Sequence, residues 1–310
     1  MKLLALTAAC CVFAGERDAA IAAKMREMIE QNEVPGAVTV VATRDGVSHL
    51  GVIGHGDAAK AQPLRKDSIF WIASMTKPVT AVAVLMMQDE GKLSIDDPLS
   101  KYIPEFGANG VTLRHMLTHT SGMGESTAEE WAAARTLADM APIYAKKSLG
   151  FTPGSQWRYC QSGINMLGRV VEIVSGMPID QFFAARIFKP LGMKGTTFYL
   201  AARRDGEKLV DAPNGGLFST GPDYARFARM LLRGGELDGK RFLSAASFAL
   251  MTSVQTGSLQ AGFRPGHGGA YGTQSGAALI LMVQRVNFRN PDDSPVWMAF
   301  QTAARKQWRA

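Results

Sequence analysis

Hydrophobic residues change their spacing several times along the chain, and each spacing predicts a different kind of element. Between residues 17 and 29 they recur every three or four positions, which predicts a helix. Residues 37–57 read AVTVVATRDGVSHLGVIGHGD, two runs of strand-forming residues joined by the turn pair Asp45-Gly46. Residues 74–90 again follow a helical pattern, which Gly91 ends. The chain is therefore predicted to open with helix, strand, strand and helix.

The later segments are helical first and then mixed. Residues 92–200 have mainly helical patterns broken by loops. Further on, GPDYARFARMLLRGG (221–235) predicts a helix, GAALILMVQRV (276–286) a buried strand, and SPVWMAFQTAARKQW (294–308) a closing amphipathic helix. Strand-like segments thus stand at both ends, with helices between. This order predicts a mixed α+β fold, in which one sheet is built from both ends of the chain and a helical region is inserted.

Composition places the chain among ordinary globular proteins. It has 310 residues, of which 46 % are hydrophobic and 20 % charged, enough for a substantial core. Lys and Arg outnumber Asp and Glu by 34 to 27, a net charge of +7, but the positive residues are scattered singly. The interpretation as a nucleic-acid-binding protein rests on this net charge alone and is therefore not favoured. No window reaches the roughly 18–20 apolar residues that a membrane span needs.

The first residues have the pattern of a leader. MKLLALTAACCVFAGERDAA places one lysine before an apolar run from Leu3 to Ala14, which is typical of a short signal peptide. We therefore expect residues 1–14 to be a signal peptide and the protein to be periplasmic or secreted. Two alternatives stay open: lipid attachment at Cys10, for which the preceding LTAA is a weak match, and a buried first helix.

The number of cysteines limits which disulfides and metal sites the protein could form. If the leader is removed, Cys160 is the only cysteine left. Neither an intrachain disulfide nor a cysteine-based zinc site is then available. An exported protein without disulfides depends on its hydrophobic core, which is typical of a bacterial envelope enzyme.

The stretch FWIASMTKP, residues 70–78, carries the first candidate chemistry. It places Ser74 and Lys77 three residues apart, on one face at the start of a predicted helix. A serine hydroxyl is a poor nucleophile until a base takes its proton, and a lysine does so only when its pKa is lowered. The helix N-terminus would favour the negative charge that develops. A capping serine followed by a solvated lysine would give the same letters, so this pair alone decides little.

Two further stretches supply candidate partners for Ser74. RYCQSG places Tyr159 on a loop before a predicted helix, where nearby positive charge would let the phenol act as acid or base. PGHGGAYGTQ places residues 267–270 before the last apolar strand, and glycines there let a substrate approach the backbone closely. The Ala270 N–H would pair with that of Ser74 as an oxyanion hole. Taken singly, these are also the patterns of a half-buried tyrosine and a glycine-rich turn.

The sequence gives little evidence for any other kind of catalytic or cofactor-binding site. His115 and His119 are four residues apart, but HMLTH lacks the glutamate of a metalloprotease helix, so a structural role is favoured for both. The chain contains no G-x-S-x-G elbow, no P-loop and no G-x-G-x-x-G fingerprint. The sequence therefore predicts neither a metal site nor an organic cofactor.

Together and in this order, the three candidate stretches resemble the motifs of the serine beta-lactamase and penicillin-binding enzyme superfamily. Ser74-Met75-Thr76-Lys77 matches its S-x-x-K motif, Tyr159-Cys160-Gln161 stands at its Y-x-N motif, and His267-Gly268-Gly269 at its K-T-G motif, in the H-x-G form. Nearly the whole chain after the leader shares the resemblance, through VPGAVTVVATRDG, TLRHMLTHTSGM, PGSQWRYCQSGINMLGRVVEIVSGMP, PLGMKGTTF and NGGLFSTGPDYARFARMLLRGGELDGKRFLS. Within the superfamily the chain looks like the class C branch, which includes D-alanyl-D-alanine carboxypeptidases and beta-lactamase-like esterases.

The resemblance implies a fold and a reaction. It implies the beta-lactamase/transpeptidase-like fold, an antiparallel sheet flanked by helices, formed by residues 15–310 as a single domain. The sheet part would comprise about residues 20–73 and 200–310, and the helical part about 74–199. The reaction would be acyl transfer to water through a covalent serine ester. Its small-molecule or peptide substrate would be an ester, a beta-lactam or a D-amino-acid peptide.

The resemblance also implies three catalytic residues. Ser74 would be the nucleophile that accepts the acyl group. Lys77 and Tyr159 would share the work of general base and proton shuttle, and which of the two is the main base stays open. No metal or organic cofactor is implied.

The positions that would bind the substrate depart in part from the family pattern. Gln161 replaces the common Asn, which keeps the amide and adds one methylene group. His267, ahead of Gly268 and Gly269, replaces a lysine, and a neutral imidazole offers less fixed charge to a substrate carboxylate. This substitution favours esters or other amides over penicillins. The Ala270 N–H would complete the oxyanion hole.

Two segments are shorter than the family pattern, one near residues 203–214 and the other near residues 266–267. At the second segment the family usually has a further strand. With the altered second and third motifs, the two short segments leave a second interpretation open. In it, the chain is a non-catalytic member that binds a peptide or cell-wall fragment in the same cleft. The intact Ser74, Lys77 and Tyr159 favour the enzyme, and the oligomeric state is not determined.

Overall fold

The computed structural model describes residues 18–56, 62–200, 211–259, 277–283 and 294–305. The predicted leader with Cys10, the shortened segment near 266–267 and the third motif from His267 to Ala270 lie outside these residues. Of the shortened segment 203–214, only 211–214 are described.

Strands near the two ends of the chain enclose a long helical region. Helices α1 to α11 span, in chain order, 18–30, Thr76–Asp89, Leu113–Leu117, Ala128–Ala133, Leu137–Ala145, Gln161–Ser175, Ile179–Phe183, Lys189–Leu191, Gly221–Leu232, Ala245–Thr252 and Pro295–Arg305. Strands β1 to β7 span Gly36–Thr43, Val47–Gly54, Phe70–Trp71, Phe218–Ser219, Glu236–Leu237, Lys240–Arg241 and Ala277–Met282. A π-helical stretch, Ala184–Phe188, joins α7 to α8.

The main sheet joins the two ends of the chain. Its described strands lie in the order β2–β1–β7 and are antiparallel, so the N-terminal hairpin pairs directly with a strand from near the C-terminus. Val40, in the middle of β1, pairs with Leu50 on one side and Ile280 on the other. The predicted turn is confirmed by the Thr43 N–H, which donates to the Gly46 carbonyl oxygen over 2.8 Å. The prediction of one sheet built from both ends is therefore confirmed.

Strand β1 is covered on both faces. Val38 and Val40 belong to the large core, in which helix α9 packs against the sheet. Ala37 and Val41 belong to a smaller core that α1 and α11 complete. Successive side chains of a strand point to opposite faces, so a strand covered on both sides needs an almost continuous apolar run, as GAVTVVAT is.

Helix α2 runs through the large core. Eleven of its 14 residues are buried, so it is surrounded by other elements, among them α6 and α10. The chain enters α2 from β3, which pairs with β4 through Phe70 with Ser219 and Trp71 with Phe218. The start of α2 therefore lies where the helical region meets the later part of the chain.

The predicted α+β class, with a helical region between sheet-forming segments, is confirmed. The single-domain boundaries at 15–310 stay a prediction. None of the helices in the described ranges is both long and apolar enough to cross a membrane.

Candidate active site

The backbone turns sharply just before Ser74. Strand β3 ends at Trp71, residues Ala73–Met75 form a 3₁₀ turn, and α2 begins at Thr76. Ala73 has a φ of +44°, in the left-handed region that residues with a β-carbon rarely adopt. This turn leaves the Ser74 side chain exposed at the N-terminal end of a buried helix. The backbone N–H groups there favour developing negative charge.

Lys77 lies one turn further along α2, and only 7 % of it is exposed. Its Nζ donates to Ser74 Oγ over 2.9 Å and to the Asn214 carbonyl oxygen over 2.6 Å. The N-cap residues of the 3₁₀ turn and of α2 are Ile72 and Met75, not Ser74. The alternative in which a capping serine precedes a solvated lysine is therefore wrong.

Tyr159 reaches Ser74 from the loop before α6. Its hydroxyl donates to Ser74 Oγ over 2.7 Å. Lys77 Nζ lies 4.7 Å from the centre of the Tyr159 ring, a favourable position for a cation. The three residues predicted as catalytic thus meet at one oxygen atom.

Burial sets the protonation of the two groups that contact Ser74. Loss of solvent lowers the pKa of Lys77 to about 8, against the opposing effects of Glu125 and Cys160. At pH 7 about one tenth of Lys77 is then uncharged. Burial raises the pKa of Tyr159 although the hydrogen bond to Ser74 acts against it. At neutral pH a fraction of Lys77 is therefore uncharged, while the Tyr159 phenol keeps its proton.

Residues 213–217, which we call the support segment, hold this arrangement from the later part of the chain. Three successive carbonyl oxygens of this segment accept side-chain hydrogen bonds from residues in or just before α2. The pairs are Pro213 with Thr80 Oγ1 over 2.7 Å, Asn214 with Lys77 Nζ, and Gly215 with Trp71 Nε1 over 2.6 Å. The sequence does not indicate these contacts, because every residue supplies a backbone carbonyl whatever its side chain.

Glu125 is a further residue near the site that no motif of the sequence indicated. Its carboxylate accepts the N–H of Gln161 over 2.6 Å and that of Ser162 over 3.0 Å, at the start of α6. A carboxylate is stabilising at a helix N-terminus, and here it fixes the residues that follow Tyr159. The Oε1 atom of Gln161 is buried without a hydrogen-bond partner among the described residues. The predicted contact of Gln161 with substrate stays a prediction.

The two histidines of HMLTH have different surroundings. His115 forms a capping box with Thr112 at the start of α3, which confirms the structural role predicted for it. His119 instead lies against Tyr159, with 4.6 Å between the ring centres. The part of the chain that the structure describes contains no group of three or more side chains that could hold a metal ion.

The third motif has no described geometry. His267, Gly268, Gly269 and Ala270 lie outside the described residues. The substrate-orienting role of the first three and the oxyanion contact of Ala270 therefore stay predictions.

The chain matches a known family of enzymes. A family model described as Beta-lactamase matches residues 21–298. The chain therefore belongs to the beta-lactamase family, and the predicted membership of the serine beta-lactamase and penicillin-binding superfamily is confirmed. Family membership supports serine hydrolase as the general class of this protein.

Relatives within the family have different activities. Esterase EstB of Burkholderia gladioli is 33 % identical over 211 residues, which cover 59 % of this chain and 53 % of EstB. The beta-lactamase of Escherichia coli (strain K12) is 27 % identical over 280 residues, which cover 84 % of this chain and 73 % of that enzyme. The solved structure of EstCE1, described as a hydrolase with promiscuous acyltransferase activity, covers 94 % of this chain and 99 % of its own at 21 % identity, with a TM-score of 0.79. The predicted beta-lactamase/transpeptidase-like fold is confirmed.

Proposed function

We propose that this protein is a serine hydrolase in which a carboxylic ester acylates Ser74 and water then releases the acyl group. The observation that carries the proposal is the convergence of Lys77 Nζ and Tyr159 OH on Ser74 Oγ, at 2.9 and 2.7 Å. A structural serine needs no buried lysine with a lowered pKa beside it, whereas a nucleophilic serine needs such a base.

Acylation begins when uncharged Lys77 takes the proton from Ser74 Oγ. The oxygen attacks the carbonyl carbon of the ester, and negative charge develops on the carbonyl oxygen. The Ser74 N–H, with the predicted Ala270 N–H, would stabilise this charge. Tyr159 then gives its proton to the departing alkoxide, and the alcohol leaves. The acyl-enzyme holds Ser74 as an ester, Lys77 as an ammonium ion and Tyr159 as a phenolate.

Deacylation returns each proton to its starting place. The Tyr159 phenolate takes a proton from water, and the resulting hydroxide attacks the ester carbon. The bond to Ser74 Oγ breaks, and Lys77 gives its proton to that oxygen. The acid product leaves, and all three side chains regain their initial protonation.

The pKa values of the two groups support Lys77, rather than Tyr159, as the first base in this proposal. Its pKa of about 8 provides uncharged amine at neutral pH, while burial keeps Tyr159 protonated. A phenol that is protonated at the start is suited to donate to the leaving group, and the nearby Lys77 ammonium stabilises the phenolate that results.

Two observations favour esters over beta-lactams. His267 stands where a lysine is usual, so less positive charge is expected at the substrate carboxylate of a penicillin. A relative named as an esterase, EstB, shares 33 % identity with this chain. A penicillin-binding role and a non-catalytic binding role are the alternatives that the following experiment separates.

The test combines the intact mass of the protein, after incubation with a fluorophosphonate or with a penicillin, with the absorbance of p-nitrophenol released from a p-nitrophenyl ester. We expect one fluorophosphonate adduct, rapid ester turnover and a weak or absent penicillin adduct. Ser74→Ala should lose the adduct, and Ser155→Ala, which changes an exposed serine elsewhere, should keep it. A stable penicillin adduct with no ester turnover would replace the ester proposal by a penicillin-binding one. No adduct with folded wild-type protein would support the non-catalytic role.

Export is a separate proposal that rests on the leader at residues 1–14. Expression in a bacterial host should yield a periplasmic or secreted form whose mass lacks these residues. A full-length mass in the cytoplasmic fraction would contradict it, and a mass increased by a lipid would support attachment at Cys10.

A further inference from the structure

His119 lies against Tyr159, the candidate proton donor. The two ring centres are 4.6 Å apart and the planes are tilted by 36°. The ring of Trp157 meets His119 edge-on, with 6.1 Å between the centres. The structural role predicted for the HMLTH histidines describes His115 well, but it does not account for this aromatic contact at the site.

The same histidine also binds the backbone on both sides of Tyr159. Its carbonyl oxygen accepts the Arg158 N–H over 2.9 Å. Its Nδ1 atom accepts the Cys160 N–H over 3.1 Å. The N–H groups of the residues before and after Tyr159 are thus fixed by one residue, so Tyr159 cannot shift along its loop without breaking a contact with His119.

A left-handed backbone makes this double contact geometrically feasible. His119 has a φ of +60°, in the left-handed region that residues with a β-carbon adopt uncommonly. The Thr120 N–H donates to the His115 carbonyl oxygen over 2.8 Å, so the chain reverses directly after α3 and brings His119 to the Tyr159 loop. Strained residues persist where the surrounding structure holds them, and they concentrate at functional sites.

The ring of His119 acts as an acceptor, which requires its neutral form. A lone pair on Nδ1 is needed to accept the Cys160 N–H, so the ring proton resides on Nε2. Burial, and then the positive charge of Lys77, lower the pKa of His119 to about 4. The acceptor is therefore present throughout the neutral pH range.

We propose that His119 is a positioning residue, which holds the Tyr159 phenol within hydrogen-bonding distance of Ser74 Oγ by fixing the backbone before and after Tyr159 and packing against its ring. The inference rests on the proposed function, because the work of Tyr159 in acyl transfer is what His119 supports. It assigns His119 no proton transfer of its own.

Three variants separate the contributions of His119. His119→Asn keeps an acceptor oxygen near the place of Nδ1 and tolerates a positive φ, but it loses the ring. His119→Ala loses both. We expect kcat/KM for a p-nitrophenyl ester to fall at least about 30-fold in His119→Ala and no more than about fivefold in His119→Asn. His115→Ala, which removes the neighbouring capping histidine, is the matched control and should change thermal stability without changing kcat/KM more than about twofold.

A double-mutant cycle with Tyr159→Phe gives the decisive result. If His119 acts by placing the phenol, His119→Ala should cost less than about threefold in the Tyr159→Phe background, because no phenolic proton is left to place. An equal loss in both backgrounds would overturn the proposal and assign His119 a purely structural or independent role. An inactive wild-type protein would instead overturn the proposed function.

A measurement without turnover tests the contact itself. Hydrogen exchange of the Arg158 and Cys160 amides should accelerate in His119→Ala, and exchange of the Cys160 amide should remain slow in His119→Asn. Unchanged exchange in His119→Ala would overturn the proposal even in a protein without activity. Should His119→Ala fail to fold, His119→Gln, which extends the acceptor beyond its site, takes its place in both measurements.

Discussion

Gly168 of α6 and Pro213 of the support segment are in such close contact that a β-carbon on Gly168 would lie 2.5 Å from Pro213 Cγ. Side-chain atoms do not approach one another this closely, so only a glycine lets the two elements meet. Pro213 precedes Asn214, whose carbonyl oxygen accepts a hydrogen bond from Lys77 Nζ over 2.6 Å. The packing of α6 therefore helps to determine where the candidate base is held.

Gly168→Ala should slow fluorophosphonate labelling of Ser74 by at least about tenfold, or 1.4 kcal/mol of activation free energy. The added carbon forces Pro213 to move, and the Asn214 carbonyl moves with it. Alanine itself favours a helix over glycine by about 1 kcal/mol, so slower labelling need not accompany a large fall in thermal stability. Gly46→Ala is the control, because no atom of the described residues lies within 4 Å of its added carbon. Normal labelling in Gly168→Ala would show that the support segment does not set the position of Lys77.

Acylation should accelerate as the pH rises through about 8, the value to which burial lowers the pKa of Lys77. The uncharged amine is the base, so the labelling rate should increase up to about tenfold per pH unit below this value and level off above it. A stopped-flow series against pH measures the midpoint. Tyr159→Phe should label more slowly with the same midpoint. A midpoint well above 8 that vanishes in this variant would move the base role to Tyr159.

The same buried amine should make unfolding depend on pH in the alkaline range. The pKa of Lys77 is about 8 in the folded protein and 10.5 ordinarily, so between these values the unfolded chain binds more protons. The free energy of unfolding therefore rises with pH across this window. Below pH 8 the cost of burying charged Lys77 is constant, because Lys77 is charged in both the folded and the unfolded protein. Between pH 7 and 10, the wild type should gain about 2–3 kcal/mol of unfolding free energy relative to Lys77→Met. Urea unfolding of both proteins measures this, and a constant difference would contradict it.

Glu125→Gln should shift the labelling midpoint to lower pH. The negative charge of Glu125 raises the pKa of Lys77, whereas burial lowers it. Without that charge, burial lowers the pKa of Lys77 further. Gln keeps one oxygen that can accept an N–H at the start of α6. Glu129→Gln, which changes an exposed carboxylate four residues away, should leave the midpoint where it is. A midpoint that moves upward would assign the opposite electrostatic effect to Glu125.

Ala73→Gly should stabilise the fold and slow acylation. The φ of +44° costs alanine about 1–2 kcal/mol, and glycine avoids this cost while adding about 0.5–1 kcal/mol of freedom to the unfolded chain. We expect the unfolding free energy to rise by up to about 1 kcal/mol, and labelling to slow severalfold because the turn that holds Ser74 is less constrained. Ala132→Gly, on an exposed helical position, should instead destabilise by about 1 kcal/mol. A less stable Ala73→Gly would rule out strain at this turn.

Much of the local structure could be predicted from the sequence, because it depends on neighbouring residues. The helix at 18–30 follows from apolar residues three and four apart, and the hairpin of β1 and β2 from two strand-like runs around Asp45-Gly46. The pairing of Ser74 with Lys77 also follows from local spacing, since residues three apart on a helix share a face.

Only the tertiary structure decided what surrounds Ser74. Tyr159 lies 85 residues from Ser74 and the Asn214 carbonyl 137 residues from Lys77, and no sequence period links such positions. The contact of His119 with Tyr159 depends on a left-handed turn, and HMLTH carries no sign of it. A hydrophobic pattern records which face of an element avoids water, but burial is non-directional, so the pattern does not say which element covers that face. The pKa of Lys77, and with it the proposed chemistry, depends on that cover.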